Sequence, residues 1–321
     1  MKSRWKKVWI VLCMIAVILC AGLLQNEREG ELPAGKIVYV SSQGESIDTW
    51  IWQLTERNIA DGTETILYES DEQIFLLESV HGQMACAVMD SQEMLTIYDF
   101  QSGSVMWEGD ASGVPDPERY VVTFDGDYLY VAYGGGGDSA SVIRMDKNGR
   151  EEEVGWFEDG NAVWFDCFTI SPDGKIACSM RSRAAGKYAY VYSVCIWADG
   201  RGWVAAEGSA PRWISENELI FVQDGTVMTY QCDTGECKSA QTESGNALKV
   251  FGSQPTEVLD PYCLPGYLVY NIDTSYSESM PNPPDVGVTS LKDGRTFRLK
   301  RVNTAQFGNG NVFVILDEVN S

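Results

Sequence analysis

His81 is the only histidine in the 321 residues, so a Ser–His–acid relay, which needs a base titrating near neutrality, has a single candidate base. It sits in ESVHGQM, and no G-x-S-x-G elbow presents a partner serine; GGDSAS (136–141) places a serine after glycines but lacks the closing glycine. GGGG (134–137) lacks the lysine and the following helix of a phosphate loop, because SVIRMD runs on as a strand, and reads as a flexible loop. Asp125, Asp127 and Asp146 offer oxygen ligands without the spacing of a calcium loop, and turn chemistry accounts for them. Cys232 and Cys237 form a C-x4-C with no second pair of ligand spacing, which is a poor zinc pattern. No metal and no cofactor are therefore expected. Paired carboxylates remain open: a glycosidase needs only two, about 5–10 Å apart, and 46 acids offer many pairs without selecting one. Trp156, Trp164, Trp197, Trp203 and Trp213 could be stacking platforms for sugars or peptides, although packing is the commoner use of buried aromatics.

The N-terminal residues differ from the rest. MKSRWKK is basic, and Val8–Leu24 is a 17-residue run without charge, long for a signal-peptide core and at the lower limit for a spanning helix. The basic flank precedes it, so the positive-inside rule keeps the N-terminus cytoplasmic and exports everything after Leu24. Three fates are open: an uncleaved anchor, which we prefer, a cleaved signal, or lipidation at Cys20. Cys20-Ala21-Gly22 resembles a bacterial lipoprotein junction, with Leu19 larger than that junction usually accepts. The expected place is the cell membrane, single-pass through residues 8–24 with the body outside; a secreted protein or a lipoprotein is the alternative. With the four cations of the leader set aside, 20 basic side chains face 46 acidic ones. Such a surface repels phosphate backbones, so nucleic acid is not an expected partner. Seven cysteines lie beyond the leader. Cys232 and Cys237 flank a tight turn, close enough for a disulfide across a hairpin. Cys167 and Cys178 flank another turn in a similar way, and Cys86, Cys195 and Cys263 read as buried thiols.

The elements that would carry these residues repeat. Strand-length apolar runs occur at KIVYVSS (36–42), MACAVM (84–89), DYLYVAY (127–133), KIACSM (175–180), ELIFVQ (218–223), YLVYNI (267–272) and NVFVIL (311–316), 43–49 residues apart. Between them stand more aromatic strands, each closed by a glycine turn at Gly62, Gly103, Gly149, Gly200, Gly235 or Gly294. Asp-Gly and Asn-Gly between extended runs are strong hairpin signals, since glycine takes the positive φ of the turn. No amphipathic helix of ten or more residues interrupts the series. Four strands per period of about 46 residues is the pattern of a β-propeller blade. The expected fold is all-β: a propeller of six four-stranded blades, with seven as the alternative because seven runs stand against six turns. The preferred solution makes residues 303–316 complete the first blade. The layout is then 1–24 signal peptide or transmembrane anchor, 25–35 linker, 36–316 propeller and 317–321 tail.

TISPDGKIACSM (169–180) resembles the blade motif of the TolB-like, WD-repeat-like propellers, in which Ser-Pro-Asp-Gly-Lys joins the first two strands. PRWISENELIFVQDGTVMTYQCDTGE (211–236) is similar over a whole blade, with Trp213 on the inner strand and Asp233-Thr234-Gly235 in the outer turn. The resemblance implies the fold and leaves function open. Asp173, between Pro172 and Gly174, is read as turning the chain rather than as a catalytic acid.

In a propeller the connections leading into the inner strands share one face with those between second and third strands. Those stretches gather Arg119, Tyr120, Trp164, Asp166, Arg181, Arg183, Arg212, Trp213 and Tyr276 around one mouth, cations that are scarce in an acidic chain. The expected function is an extracytoplasmic, membrane-anchored binding module for a protein, peptide or glycan, without catalytic residues. The alternative is a carboxylate-dependent glycosidase or lyase on the same fold.

Overall fold

The computed structural model describes residues 34–43, 51–183, 190–250, 261–264, 267–272, 285–299 and 312–316. The expectations for the leader with Cys20, for Tyr276 and for the 317–321 tail lie outside the described residues. Among the described residues no helix is long and apolar enough to cross a membrane.

The strands form six antiparallel sheets, the blades of a propeller. Blade 2 runs from its inner strand Gln73–Glu78 through Met84–Met89 and Met94–Asp99 to the outer Val105–Asp110. Blade 3 has Val121–Phe124, Tyr128–Tyr133, Ser139–Asp146 and Glu151–Glu158 in the same order. Blade 4 has Ala162–Ile170, Ile176–Arg183, Tyr190–Ala198 and Arg201–Glu207. Blade 5 has Ser209–Trp213, Glu218–Gln223, Thr226–Gln231 and Glu236–Ser239, and blade 6 has Pro261–Leu264, Tyr267–Ile272, Asp285–Ser290 and Thr296–Leu299. Blade 1 takes Gly35–Gln43, Ile51–Asn58 and Glu64–Ser70 from the start of the domain, and its inner strand, Val312–Leu316, from the end. Gly35 faces Leu316 and Tyr39 faces Val312, so the seventh apolar run closes the first blade and the count is six.

The core lies in the seams between neighbouring blades. Phe75, Leu77, Leu95, Ile97 and Trp107 of blade 2 pack on Phe124, Leu129, Ile143 and Met145 of blade 3. Val142 and Phe157 of blade 3 pack on Phe165, Ile170, Ile176 and Met180 of blade 4, and Ala177, Val194 and Ile196 on the other face of blade 4 meet Trp213, Leu219 and Phe221 of blade 5. A strand covered on both faces must be apolar at successive positions, which is why Ile176–Met180 is buried without alternation.

Short-range chemistry shapes the ends. All six turn glycines adopt φ between 67° and 74°, each between the third and outer strands. The outer pairs of blades 1 to 4 share a bulge, at Leu54/Thr55, Ile97/Tyr98, Val142/Ile143 and Val194/Cys195. A bulge there twists the outer edge and blunts it against further pairing. At the Ser-Pro-Asp-Gly turn, Ser171 accepts the Lys175 N–H at 2.8 Å while its hydroxyl donates to Asp173. Lys175 pairs with Asp173 and also donates to the Glu216 carbonyl of blade 5 at 3.0 Å. Burial opposes the charge on Asp173, but the Lys175 and Ser171 contacts outweigh it and hold the carboxyl below its ordinary range. Asp173 turns the chain, and through Lys175 the turn also stitches two blades.

Candidate functional site

Blade 4 is built from long strands. Trp164 and Asp166 fall within its inner strand and Arg181 and Arg183 within its second, where the sequence reading expected connecting loops. The ladder therefore sets the neighbours: Trp164 stands opposite Arg181, Asp166 opposite Ser179, and Arg183 opposite Tyr190 on the third strand. The Arg181 guanidinium lies 5.6 Å from the Trp164 ring centroid and 4.9 Å from that of Tyr190. A cation between two aromatic faces gains about 0.5–2 kcal/mol per face, most where water is excluded. Tyr190 is 51% exposed and Arg183 is exposed, whereas Trp164 and Arg181 are half-buried. Tyr190 and Arg183 are thus the solvent-exposed members of this group.

Two further aromatics stand in blade 3, packed against the seam with blade 2. Tyr120, at the end of the short helix Pro117–Tyr120, packs against Tyr133 with ring centroids 5.5 Å apart. Burial first, then the nearby Glu151 and Tyr120, raise the Tyr133 hydroxyl above its ordinary pKa. Arg119 belongs to the same helix, and its side chain lies outside the described residues. The glycine run after Tyr133 is not a loose loop. Gly135–Gly136 pairs with Phe165 and Trp164 as a fifth strand of blade 4, and the Gly137 N–H donates to the Val163 carbonyl at 3.2 Å. A Cβ at Gly134 would meet the Phe165 carbonyl oxygen at 2.6 Å, so glycine is what allows this approach. The pairing fixes the strand that carries Trp164.

Two residues assigned to the mouth belong elsewhere. Arg212, one residue from the end of its inner strand, pairs with Glu78 at the end of the blade 2 inner strand, three blades away. The carbonyl of Glu78 in turn accepts the Thr123 hydroxyl of blade 3 at 2.7 Å. These contacts bring the ends of three inner strands together. Trp213 is buried in the seam between blades 4 and 5 and presents no stacking face. Both separations follow from the shortness of the blade 5 inner strand, which puts its fourth and fifth residues near its exit.

Cys86, Cys167, Cys178, Cys195, Cys232 and Cys237 are all free thiols in the structure. Of the pair expected to bridge the hairpin, Cys237 stands opposite Tyr230, and Gln231, just before Cys232, faces Glu236. The two are therefore staggered across the hairpin instead of opposed. Cys178 faces Cys195 across the second and third strands of blade 4. Tyr190, Tyr133 and Glu78 were absent from the sequence reading. The alternation of YAYVYSV (188–194) would have pointed to Tyr190, had the hairpin been carried past Arg183. His81 is exposed in the turn after the blade 2 inner strand, where its own N–H donates to the Ser79 hydroxyl oxygen at 3.2 Å. Among the described residues no three His, Cys, Asp or Glu side chains are grouped to hold a metal.

No family model matches the chain, and no curated protein matches it. Among solved structures it is similar to TolB from Acinetobacter baumannii, with 14% identity over 87% of this chain and 65% of that one and a TM-score of 0.46. It is also similar to a chain of the mitotic checkpoint complex, at 11% identity, 87% and 85% coverage and a TM-score of 0.40. A third is the tricorn protease, at 9% identity, 84% and 31% coverage and a TM-score of 0.39. Similarity at this level carries no weight for function; the six blades rest on their own strand pairing.

Proposed function

We propose that the chain is an extracytoplasmic recognition module, held at the membrane by residues 8–24, whose binding surface is the Trp164–Arg181–Tyr190 stack with Arg183 beside it. The observation that supports this reading is a half-exposed cation–aromatic sandwich in a chain of net charge −22, where most of the surface repels anions. Rigid aromatic faces supply contact area at low entropy cost, and arginine supplies directed donors. Together they suit a protein or peptide segment that presents a carboxylate next to an apolar or aromatic side chain. Propellers lend themselves to such use, because the loops and strand ends of one face vary without disturbing the seams.

The experiment is capture of partners from an extracellular extract by the wild type and by an Arg181→Ala/Arg183→Ala variant, with Trp156→Ala as control. Trp156 is 39% exposed on the outer strand of blade 3, away from the stack. Capture should fall at least tenfold in the double variant and stay unchanged in the control. Equal capture by all three folded proteins would sink the proposal.

A further inference from the structure

Cys178 and Cys195 face each other directly across the antiparallel pair of Ile176–Arg183 and Tyr190–Ala198. Directly opposed residues of such a pair have Cα atoms about 4.5–5.5 Å apart, inside the range of about 4.4–6.8 Å that a disulfide spans. Both side chains point into the seam between blades 3 and 4, at 0% and 5% exposure, and the Cys178 thiol is hydrogen-bonded to Cys195. Cys195 Sγ also lies 4.0 Å from Met180 Sδ, apolar side chains of the seam pack around the pair, and Asp166 and Cys167 lie near Cys178. Two buried thiols in direct register thus lie within the backbone separation that a disulfide spans.

We propose that Cys178 and Cys195 form a cross-strand disulfide that staples the second and third strands of blade 4. The oxidant is a small disulfide of the thiol–disulfide exchange class. One cysteine thiolate attacks the donor's S–S bond and releases one donor thiol; the second cysteine then attacks the mixed disulfide and releases the other. The two protein thiols lose two protons and two electrons, and the donor disulfide is reduced to two thiols. Burial first, and then the Cys195 contact, raise the Cys178 thiol well above its ordinary value, so the finished seam is a poor place to generate a thiolate. The bond therefore forms while the chain folds, before blade 3 covers the pair. It lies three residues from Arg181 on one strand and five from Tyr190 on the other, so it braces the two strands that hold the aromatic stack. The inference does not depend on that stack being a binding surface.

Cys167 supplies the natural competitor. It occupies a bulge of the inner strand between Asp166 and Thr169, opposite the same Cys178, with φ at +50°. The test is refolding of the full-length chain in a glutathione redox buffer, then alkylation in denaturant and peptide mapping. The expected result is a linked pair of peptides carrying Cys178 and Cys195, loss of two alkylatable thiols, and a thermal midpoint about 5 °C above the reduced protein. A Cys167→Ala chain should keep the link, and a Cys195→Ala chain should lose it along with the gain in midpoint. Full alkylation of both cysteines after refolding, or a Cys167–Cys178 link in the wild type, would overturn the proposal, and neither readout requires that a variant fold.

Discussion

Asp99 and Asp146 show how a single side chain sets a hairpin. Asp99 accepts the backbone N–H of Ser102 and then its hydroxyl, and these contacts hold its carboxyl below the ordinary range. Asp146 is lowered in the same way, by the Arg150 and Asn148 amides. Burial acts on both carboxyls in the opposite direction, so the lowering comes from the turn contacts. A depressed folded-state pKa stabilises the fold above the unfolded value of about 3.9 and loses that contribution as pH falls through the folded value. Asp99→Asn should therefore lower the thermal midpoint at pH 7, and the gap to the wild type should narrow as pH falls below the ordinary carboxylate range and through the lowered folded-state value. A gap that stays constant with pH would show that the charge is not what the turn uses. This turn chemistry was readable from sequence, because its partners lie within four residues. The Arg181 stack was not, since it depends on how far the blade 4 strands run before turning. The Arg212–Glu78 pair was still less so, its members standing 134 positions apart in the chain.

Among the elements, the seams are the sensitive part. Gly109 lies in the outer strand of blade 2, and a Cβ there would sit 2.8 Å from the Lys147 Cα of blade 3 and 2.6 Å from the Trp107 ring. The backbone of the neighbouring blade cannot give way as a flexible side chain would. Gly109→Ala should destabilise the fold by about 1–3 kcal/mol, read as a lower denaturant midpoint, whereas Gly103→Ala, with open space around it, should cost less, about 1 kcal/mol from its positive φ alone. If the two cost the same, close contact between blades 2 and 3 is not the reason for the glycine. The strands themselves were legible as apolar runs at near-regular spacing. The pairing of Gly135–Gly136 with the next blade was not, because two glycines carry no pattern and their partner lies across a seam.

At the scale of the whole molecule, the ring is closed by strands from opposite ends of the domain, with Val312–Leu316 pairing along Gly35–Tyr39. Six blades held by seams have no free inner edge only while that pairing persists. Removing residues 311–321 should lower the thermal midpoint by about 10 °C or more and broaden the transition, measured by calorimetry of the full and shortened chains. An unchanged transition would mean that the closing strand adds nothing to cooperativity. The closed ring also gives the aromatic stack a fixed frame, and the central claim is that the stack is where a partner docks. The most direct measurement places a photoactivated cross-linking amino acid, p-benzoylphenylalanine, at Tyr190 in one protein and at Val204 in another. Val204 is 54% exposed on the outer strand of the same blade, so it samples equal solvent without the stack. Irradiation in an extracellular extract should give a discrete cross-linked partner from the Tyr190 position and none from Val204. The same adduct from both positions, or from Val204 alone, would contradict the assignment.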